Sequence, residues 1–548
     1  MAHALAGKPV QEQDIIDVQT IVDAYFDNVP DMTNPTQLVS FGTSGHRGTS
    51  VDGTFTDLHV AAITQAICDG RKQFGATGPI FVGQDTHALS QPALVTVLEV
   101  LAGNGVTAMV DCDMAFVPTP SVSRAIIRYN EEHDDKADGI IITPSHNPPD
   151  NGGIKYNTII GGPADTVVTK WIEMRANEYL TAYCESEDFK RISIDNIEPS
   201  AQVPYDYKGL YVEELGDVIN MEAIKEAGPK VLVDTLGGSG ASYWNAIKER
   251  YGLDLTIIHD DYDPTFSFMT YDHDGKVRMD CSSTYVMASV INRIGDFDLA
   301  VGNDPDYDRY GIVVSSGLIS ANIFLTLAAS YLFTTRGWKN KGVGKTVVCT
   351  TMIDKWAADA ETPVFEVPVG FKYFSQLLFD GAIGIGGEES AGASFLKKDG
   401  TVWTTDKDGM IMALLSMEIM AVMGKSELKM ADEFVEEFGN PSFGRIDAPC
   451  KKEQKQILKQ MSAELITATT VDGDPITNIR TTSLYNDMPI DGVRVETDKG
   501  WFVARPSGTE DLYKIYGESY KGDLGLVALL TAGEEIVNAA LNGTIETE

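Results

Sequence analysis

Three times along the chain a short apolar, β-branched run is followed by a helical pattern and then by another such run. Gly78–Gly83, Ser90–Leu101 and Val106–Val110 form the first copy, and Lys230–Asp234, Ser242–Tyr251 and Asp254–Ile258 the second. The third comprises Thr346–Cys349, Ile353–Ala360 and Val364–Val367, then a helix over Phe371–Phe379 and a strand over Ala382–Ile385. A strand apolar on both faces must be covered on both, and a parallel neighbour is reached only through a crossover, so this rhythm predicts parallel sheets between helices. Three units imply three related α/β domains. From Thr481 to Tyr520 strand-like runs alternate instead with turns at Asn486-Asp487, Asp491-Gly492 and Lys499-Gly500, the pattern of an antiparallel α+β domain.

At about 150 residues per domain, 548 residues suit three to four domains. Pro- and Gly-bearing linkers at Glu198–Pro204, near Ser320 and at Phe438–Pro441 divide the chain into an N-terminal helical extension (1–38), three α/β domains (39–203, 204–322 and 323–440) with parallel or mixed sheets, and a C-terminal α+β domain (441–548). Asp and Glu number 80 against 43 Lys and Arg, a net charge of −37 spread along the chain. Nucleic acid and anionic membrane surfaces are therefore excluded as partners, since both require a basic footprint. An anionic small-molecule substrate would need a few basic residues gathered locally against that field. Six cysteines without a C-x-x-C pair predict free, buried thiols in a reducing compartment. Met1–Gln11 lacks a basic and apolar leader, and no uninterrupted apolar run reaches membrane-spanning length, so a cytoplasmic protein is expected.

In open α/β sheets ligands bind where strands end, and five such loops carry chemistry. The strand Gly139–Ile142 runs into Thr143-Pro-Ser145-His146-Asn147-Pro-Pro-Asp150, with Lys155 ten residues beyond Ser145. Prolines and glycines hold Ser145 rigidly, as a phosphate-carrying serine requires, although an ordinary turn bonding its own backbone has the same composition. No G-x-S-x-G elbow surrounds it. The strand Asp298–Gly302 leads to Asn303-Asp304-Pro-Asp306-Tyr-Asp308-Arg309. Carboxylates at i, i+2 and i+4 repel unless a hard dication binds them, and so few ligands suit Mg2+; position six is Arg309 rather than Gly, which removes the EF-hand reading. Asp111/Asp113 and Asp272/Asp274 are read as solvated acidic turns.

Gly384–Gly392 places Glu388, Glu389 and Ser390 in a glycine-rich loop that suits sugar hydroxyls, or equally a helix start with acids in its first turn. Arg505-Pro-Ser507-Gly508-Thr509 follows the strand Trp501–Ala504 and has the composition of an anion nest. Phe41–Gly48 is a glycine-rich basic turn that presents Arg47. No dinucleotide or P-loop fingerprint occurs, and no histidine pair has zinc spacing.

The order T-P-S-H-N-P, D-P-D-Y-D-R, G-E-E-S, R-P-S-G-T resembles the α-D-phosphohexomutase superfamily over residues 39 to 540, most closely its bacterial phosphoglucomutase branch. The resemblance implies four domains around a central active-site cleft. It further implies a phosphoserine at Ser145, and Mg2+ held by Asp304, Asp306, Asp308 and the group on Ser145. Arg309, Gly370, Lys372, Glu388 and Ser390 then contact the sugar phosphate, and Arg505, Ser507, Gly508 and Thr509 grip its non-reacting phosphate. Arg47, His146 and Lys155 would line the phosphoserine pocket, and Lys407 would be the general base. Glu389 is the residue associated with glucose preference. The implied reaction interconverts α-D-glucose 1-phosphate and glucose 6-phosphate through glucose 1,6-bisphosphate, by a monomer or homodimer. A phosphomannomutase or other phosphohexose mutase, a sugar phosphatase and a non-catalytic phosphoprotein are the alternatives. Pro305 and Tyr307 stand where many relatives have glycines, so loop rigidity is expected to differ while aspartate spacing is kept.

Overall fold

Every residue of the strands Ile80–Gln84 and Asp138–Ile142 is buried. In this computed structural model, which describes residues 3–42, 44–186, 189–424, 427–506 and 512–545, the two strands pair in parallel at the centre of a six-stranded mixed sheet. Its order is His46–Thr49, Asn151–Asn157, Asp138–Ile142, Ile80–Gln84, Ala108–Asp111, Gln202–Tyr205. Alternation sends Ile80, Val82, Ile140 and Ile142 to one face, against Ile63 and Ile67 of the helix Asp57–Gly70 and Val97 of the helix Ser90–Gly103. Phe81 and Ile141 face the other way, onto Val122 and Ile126 of the helix Thr119–Glu132. The strand Gln202–Tyr205 occupies part of the expected linker; it is an edge strand, where the missing N–H of Pro204 is tolerated.

The second sheet has five strands in the order Gly317–Leu318, Tyr310–Val314, Leu299–Asn303, Val231–Asp234, Leu255–Ile258. Val231–Asp234 is parallel to both neighbours, whereas Leu299–Asn303 and Tyr310–Val314 are antiparallel. Residues 304–309 are therefore the connection of a hairpin. Both sheets belong to one of two compact units, made of Met1–Ser320, Phe374–Gly381 and Ser390–Leu428.

The other unit comprises Ala321–Tyr373, Ala382–Glu389 and Lys429–Glu548. Its strands Val364–Val367, Gly342–Thr346 and Ile383–Gly387 are parallel, and its C-terminal sheet has six antiparallel strands, Ser442–Pro449, Leu512–Ser519, Gly500–Pro506, Pro489–Thr497, Asp474–Thr482 and Thr470–Val471. The strand expected at Thr346–Cys349 lies earlier, at Gly342–Thr346. Val347 and Val348 pack instead against Ile490, Trp501 and Val503 of the C-terminal sheet, so their β-branched character serves a different core. Arg480 reaches across the same boundary to make a bidentate pair with Glu366, at 2.5 and 2.8 Å.

The helix Gly522–Ile545 contains a segment, Gly522–Asn542, long and apolar enough by length and composition to cross a membrane, although Asp523 and a Glu-Glu pair interrupt it. Leu529, Leu530, Val537 and Leu541 lie in the C-terminal core. Among the described residues the N-terminal extension is α-helical only over Val18–Asp27, capped by Asp17; Gly7 and Pro9 interrupt what precedes, and that backbone pairs with residues 269–273. The described cysteines are free, but Cys112 is exposed and Cys68 half-buried, contrary to the expectation of burial.

Candidate active site

The loop after the strand Asp138–Ile142 carries Ser145, buried, with a left-handed backbone at φ 61°. A side chain there is uncommon and needs outside support. That support is a chain of bonds: Ser145 N–H donates to Thr143 Oγ1 (2.8 Å), and Thr143 Oγ1–H donates to Asp85 Oδ2 (2.6 Å). Asp85 also accepts from Ser90 Oγ (2.5 Å) and His87 Nδ1 (2.8 Å), while His87 Nε2 lies 3.0 Å from Asn147 O, inside the serine loop. Asp85, His87 and Thr143 escaped the sequence reading. Asp85 and His87 follow a strand end too, and that was the available signal.

Ser145 Oγ lies 3.0 Å from Asp304 Oδ2 and 3.3 Å from His146 Nδ1. Burial and the nearby Arg309 hold the His146 imidazole well below its ordinary value, so it is neutral and able to accept the serine proton. Arg47 reaches the same loop, donating to Asn147 Oδ1 at 3.3 Å.

Asp304, Asp306 and Asp308 are all buried, and one carboxylate oxygen from each lies within 4.8 Å of the others. Burial, then Asp306 and Asp308, push the Asp304 carboxyl well up. Asp306 Oδ1 and Asp308 Oδ1 have no hydrogen-bond partner among the described residues. Three convergent hard oxygen donors with two orphaned lone-pair sites fit a small dication. The triad is also lined by cations: Lys155 Nζ lies 2.6 Å from Asp306 and 3.1 Å from Asp308, and Lys407 Nζ 2.9 Å from Asp308. Burial raises the Asp308 carboxyl, but Lys155, Lys407 and Arg309 outweigh it and leave it lowered.

The hairpin turn is held at its two departures from glycine. Pro305 O accepts from Ser239 N–H and Oγ–H, both at 2.8 Å. Tyr307, at φ 63°, is buried with its ring against Gly238 and Gly240; a Cβ on Gly240 would meet the ring at 2.4 Å. Thr119 braces Asp306 through both its N–H (2.9 Å) and its hydroxyl (2.7 Å).

Lys407 sits between two buried acids. Its N–H donates to Asp406 Oδ1 (2.8 Å), and burial pushes the Asp406 carboxyl up to about 6 against the pull of Lys155 and Lys407. Asp408 caps the helix Gly409–Met423 and accepts from Tyr211 and Trp403. Arg309 pairs at 3.6 Å with Asp280, which also lies 3.9 Å from His146 Nε2. Asp280 is a further residue that sequence reasoning missed; nothing in its local sequence marks it. Asp272, eight residues earlier, is buried and accepts from Ser283 Oγ, which corrects the reading of Asp272/Asp274 as a solvated turn. Asp274 is tied to Arg278.

Ser390 belongs to the same unit, and its loop is bridged to the metal turn through Arg309 and Gly392. Gly370, Lys372, Glu388 and Arg505 belong to the other. There Gly370 has φ 132°, Glu388 is buried, Glu389 accepts from Thr346 Oγ1 at 3.3 Å, and Arg505 lies next to the end of a strand, opposite Lys514. Ser507, Gly508 and Thr509 lie outside the described residues.

Models of phosphoglucomutase/phosphomannomutase α/β/α domains I, II and III match residues 38–182, 210–317 and 320–438, and that of the C-terminal domain matches 447–524. The chain belongs to the phosphoglucomutase/phosphomannomutase family. Within that family it is 47% identical over 539 residues to the phosphoglucomutase of Komagataeibacter xylinus, covering 97% of each chain. It is 26% identical to phosphoglucomutase 1 of Saccharomyces cerevisiae over 88% of each. The family fold is shared with a putative phosphomannomutase from Thermus thermophilus (TM-score 0.71, 23% identity, covering 91% of this chain and 99% of that one). It is shared likewise with pp63/parafusin from Paramecium (TM-score 0.71, 19% identity, 94% and 96%).

Proposed function

We propose that this family member is a phosphoglucomutase, an isomerase that interconverts α-D-glucose 1-phosphate and glucose 6-phosphate through a phosphoserine at Ser145 and glucose 1,6-bisphosphate. The observation that carries the reading is the approach of Ser145 Oγ to Asp304, at 3.0 Å, on the edge of a buried three-carboxylate site. The near-full-length likeness to a bacterial phosphoglucomutase supports glucose as the sugar, as does Glu389 beside Glu388.

In the forward step the Oγ–P bond of phosphorylated Ser145 breaks and a bond forms from phosphorus to O6 of glucose 1-phosphate. Lys407, after releasing its own proton to solvent, takes the O6 proton, and solvent returns a proton to the serine oxygen as its hydroxyl. The bisphosphate then reverses end for end and returns its other phosphoryl group to Ser145. Asp304, Asp306 and Asp308 would hold Mg2+, which would supply charge neutralisation at the serine oxygen. Lys155 offsets the carboxylate charge, neutral His146 orients the serine hydroxyl, and Arg309 meets the sugar phosphate. Glu388 and Ser390 hold ring hydroxyls, with Gly370 and Lys372 in a further substrate loop. Arg505 begins the loop that grips the non-reacting phosphate.

The test is a coupled assay with Mg2+ and trace glucose 1,6-bisphosphate, in which glucose 6-phosphate formed from glucose 1-phosphate is read through a dehydrogenase. Turnover that collapses in Ser145→Ala is the expected result. Sustained release of inorganic phosphate, or consumption of mannose 1-phosphate in preference to glucose 1-phosphate, would overturn the reading.

A further inference from the structure

The segment ahead of the four family domains is anchored twice within the first unit. Its helix Val18–Asp27 buries Ile21 and Tyr25 in the core of the six-stranded sheet, where the Tyr25 hydroxyl lies 2.9 Å from Thr96 Oγ1 and Ser50 Oγ donates to Ile21 O. Residues 3–14 run instead along the second domain. His3 N–H donates to His273 O (2.8 Å), Gly7 N–H to Tyr271 O (2.8 Å) and Val10 N–H to Met269 O (3.0 Å), and Tyr271 N–H returns a bond to Lys8 O (3.0 Å). The Tyr271 hydroxyl accepts from Gln11 N–H and donates to Asp14. Val10 packs on the second domain's core.

The strand-like stretch that the arm holds turns at Gly275 and comes back, with Tyr271 bridged to Val277. It then reaches the reaction centre. Met279 N–H donates to His146 O (3.2 Å). Cys281 O lies over Gly311 of the metal hairpin, where a Cβ would come within 2.2 Å of it. Between these two anchors stands Asp280, its carboxylate fixed by Ser282 N–H (3.0 Å) and Oγ–H (2.6 Å) and facing both His146 and Arg309. His146 adjoins Ser145 on the first sheet, and Arg309 adjoins the aspartate triad on the second. Asp280 thus touches one charged or polar group from each side of the reacting serine.

We propose that residues 3–14 are a strap that sets the 269–281 loop, and through it Asp280, a positioning residue that aligns His146 and Arg309 for phosphoryl transfer. The proposal rests on the mutase reading. Reacting groups borne by two different sheets must be held to within about 0.5 Å to act together, and the strap joins those sheets through a route separate from the interdomain chain.

The test is a double-mutant cycle in the full chain between Gly7→Pro/Val10→Pro and Asp280→Asn. The two prolines remove the N–H groups given to Tyr271 and Met269, and proline cannot adopt the φ of 75° at Gly7. Readouts are kcat and KM for glucose 1-phosphate, and amide hydrogen exchange over residues 277–283. Each arm of the cycle is expected to lower kcat by about tenfold, and the combination by no more than Asp280→Asn alone, because both act through one group. Exchange over 277–283 is expected to rise in the proline variant. Tyr271→Phe, which releases only Gln11 and Asp14, should give a smaller change in the same direction, and it carries the cycle if the proline variant does not fold. Multiplicative losses of kcat, or exchange over 277–283 unchanged from wild type, would overturn the strap. A wild-type chain inert towards glucose 1-phosphate would defeat the mutase reading instead, and the exchange measurement would still decide the strap.

Discussion

Lys155 Nζ lies 2.6 Å from Asp306 Oδ2, an ion pair between a strand of the first sheet and the hairpin turn of the second. Burial lowers the Lys155 ammonium, but Asp306 and Asp308 more than offset this and raise it, so the lysine stays charged and the turn keeps its carboxylates together. Asp306→Asn would remove one of the proposed metal ligands and one of the two carboxylates that pair with Lys155. The Mg2+ concentration giving half-maximal turnover should rise by at least about tenfold, and calorimetric titration with Mg2+ should show the same loss. Affinity within twofold of wild type would remove Asp306 from the ligand set.

Gly240 lies far from the aspartates in sequence but directly under Tyr307. Gly240→Ala should therefore displace the tyrosine ring, disturb the turn between Asp306 and Asp308, and weaken Mg2+ binding. Tyr307→Gly frees that space and suits the backbone φ of 63°, so the double variant should bind Mg2+ better than Gly240→Ala alone. A double variant no better than the single one would show that the ring does not transmit the effect.

The φ of 61° at Ser145 also has a stability signature. Ser145→Ala and Ser145→Gly lose the same hydroxyl, but only alanine retains a Cβ in the left-handed region. The glycine variant should be more stable than the alanine variant by about 1 kcal/mol, with both equally inactive. Thermal unfolding of the pair, side by side, measures the difference.

The pedestal under Ser145 predicts a loss of stability as pH rises. Burial lowers the His87 imidazole, but the ion pair and hydrogen bond with Asp85 outweigh it, and its folded value is raised. The protonated ring bonds Asp85 through Nδ1 and Asn147 O through Nε2. A raised histidine contributes stability that is fully present below the unfolded value of about 6.5 and is lost as pH rises through the folded value. Melting temperature should accordingly fall as pH rises above about 6.5, and the fall should be shallower in His87→Gln. Parallel pH profiles for the two proteins would contradict this.

In the second unit, Arg480→Met leaves Glu366 buried without its bidentate partner and should destabilise by about 3 kcal/mol. Glu366→Leu/Arg480→Met removes both charges and should recover most of that loss in urea denaturation. Equal losses in the single and double variants would show that packing, rather than the unpaired charge, sets the cost.

The three strand–helix–strand units and the aspartate turn were legible in the sequence because their signals are local. A strand covered on both faces is apolar at consecutive positions, and carboxylates alternating along extended chain are recognisable from spacing alone. Misplacement of the third-domain strand has an equally physical origin. Val347 and Val348 look like ladder residues, yet their partners are Trp501 and Val503, more than a hundred residues later. Local β-branching says that a residue wants a packed surface without saying which one.

The supports of the site were decided only by tertiary structure. Thr143 finds Asp85 across 58 residues, Ser145 finds Asp304 across 159, and Lys155 finds Asp306 across 151. Asp280 has no sequence mark at all, because its role depends on His146 and Arg309 being brought to it from two sheets. By itself the sequence determined the kinds of elements and which loops carry chemistry, since side-chain period and turn composition act over a few residues. Which loops converge, and which buried acids and amines offset one another, follows from strand order and hairpin closure, which no short-range pattern contains.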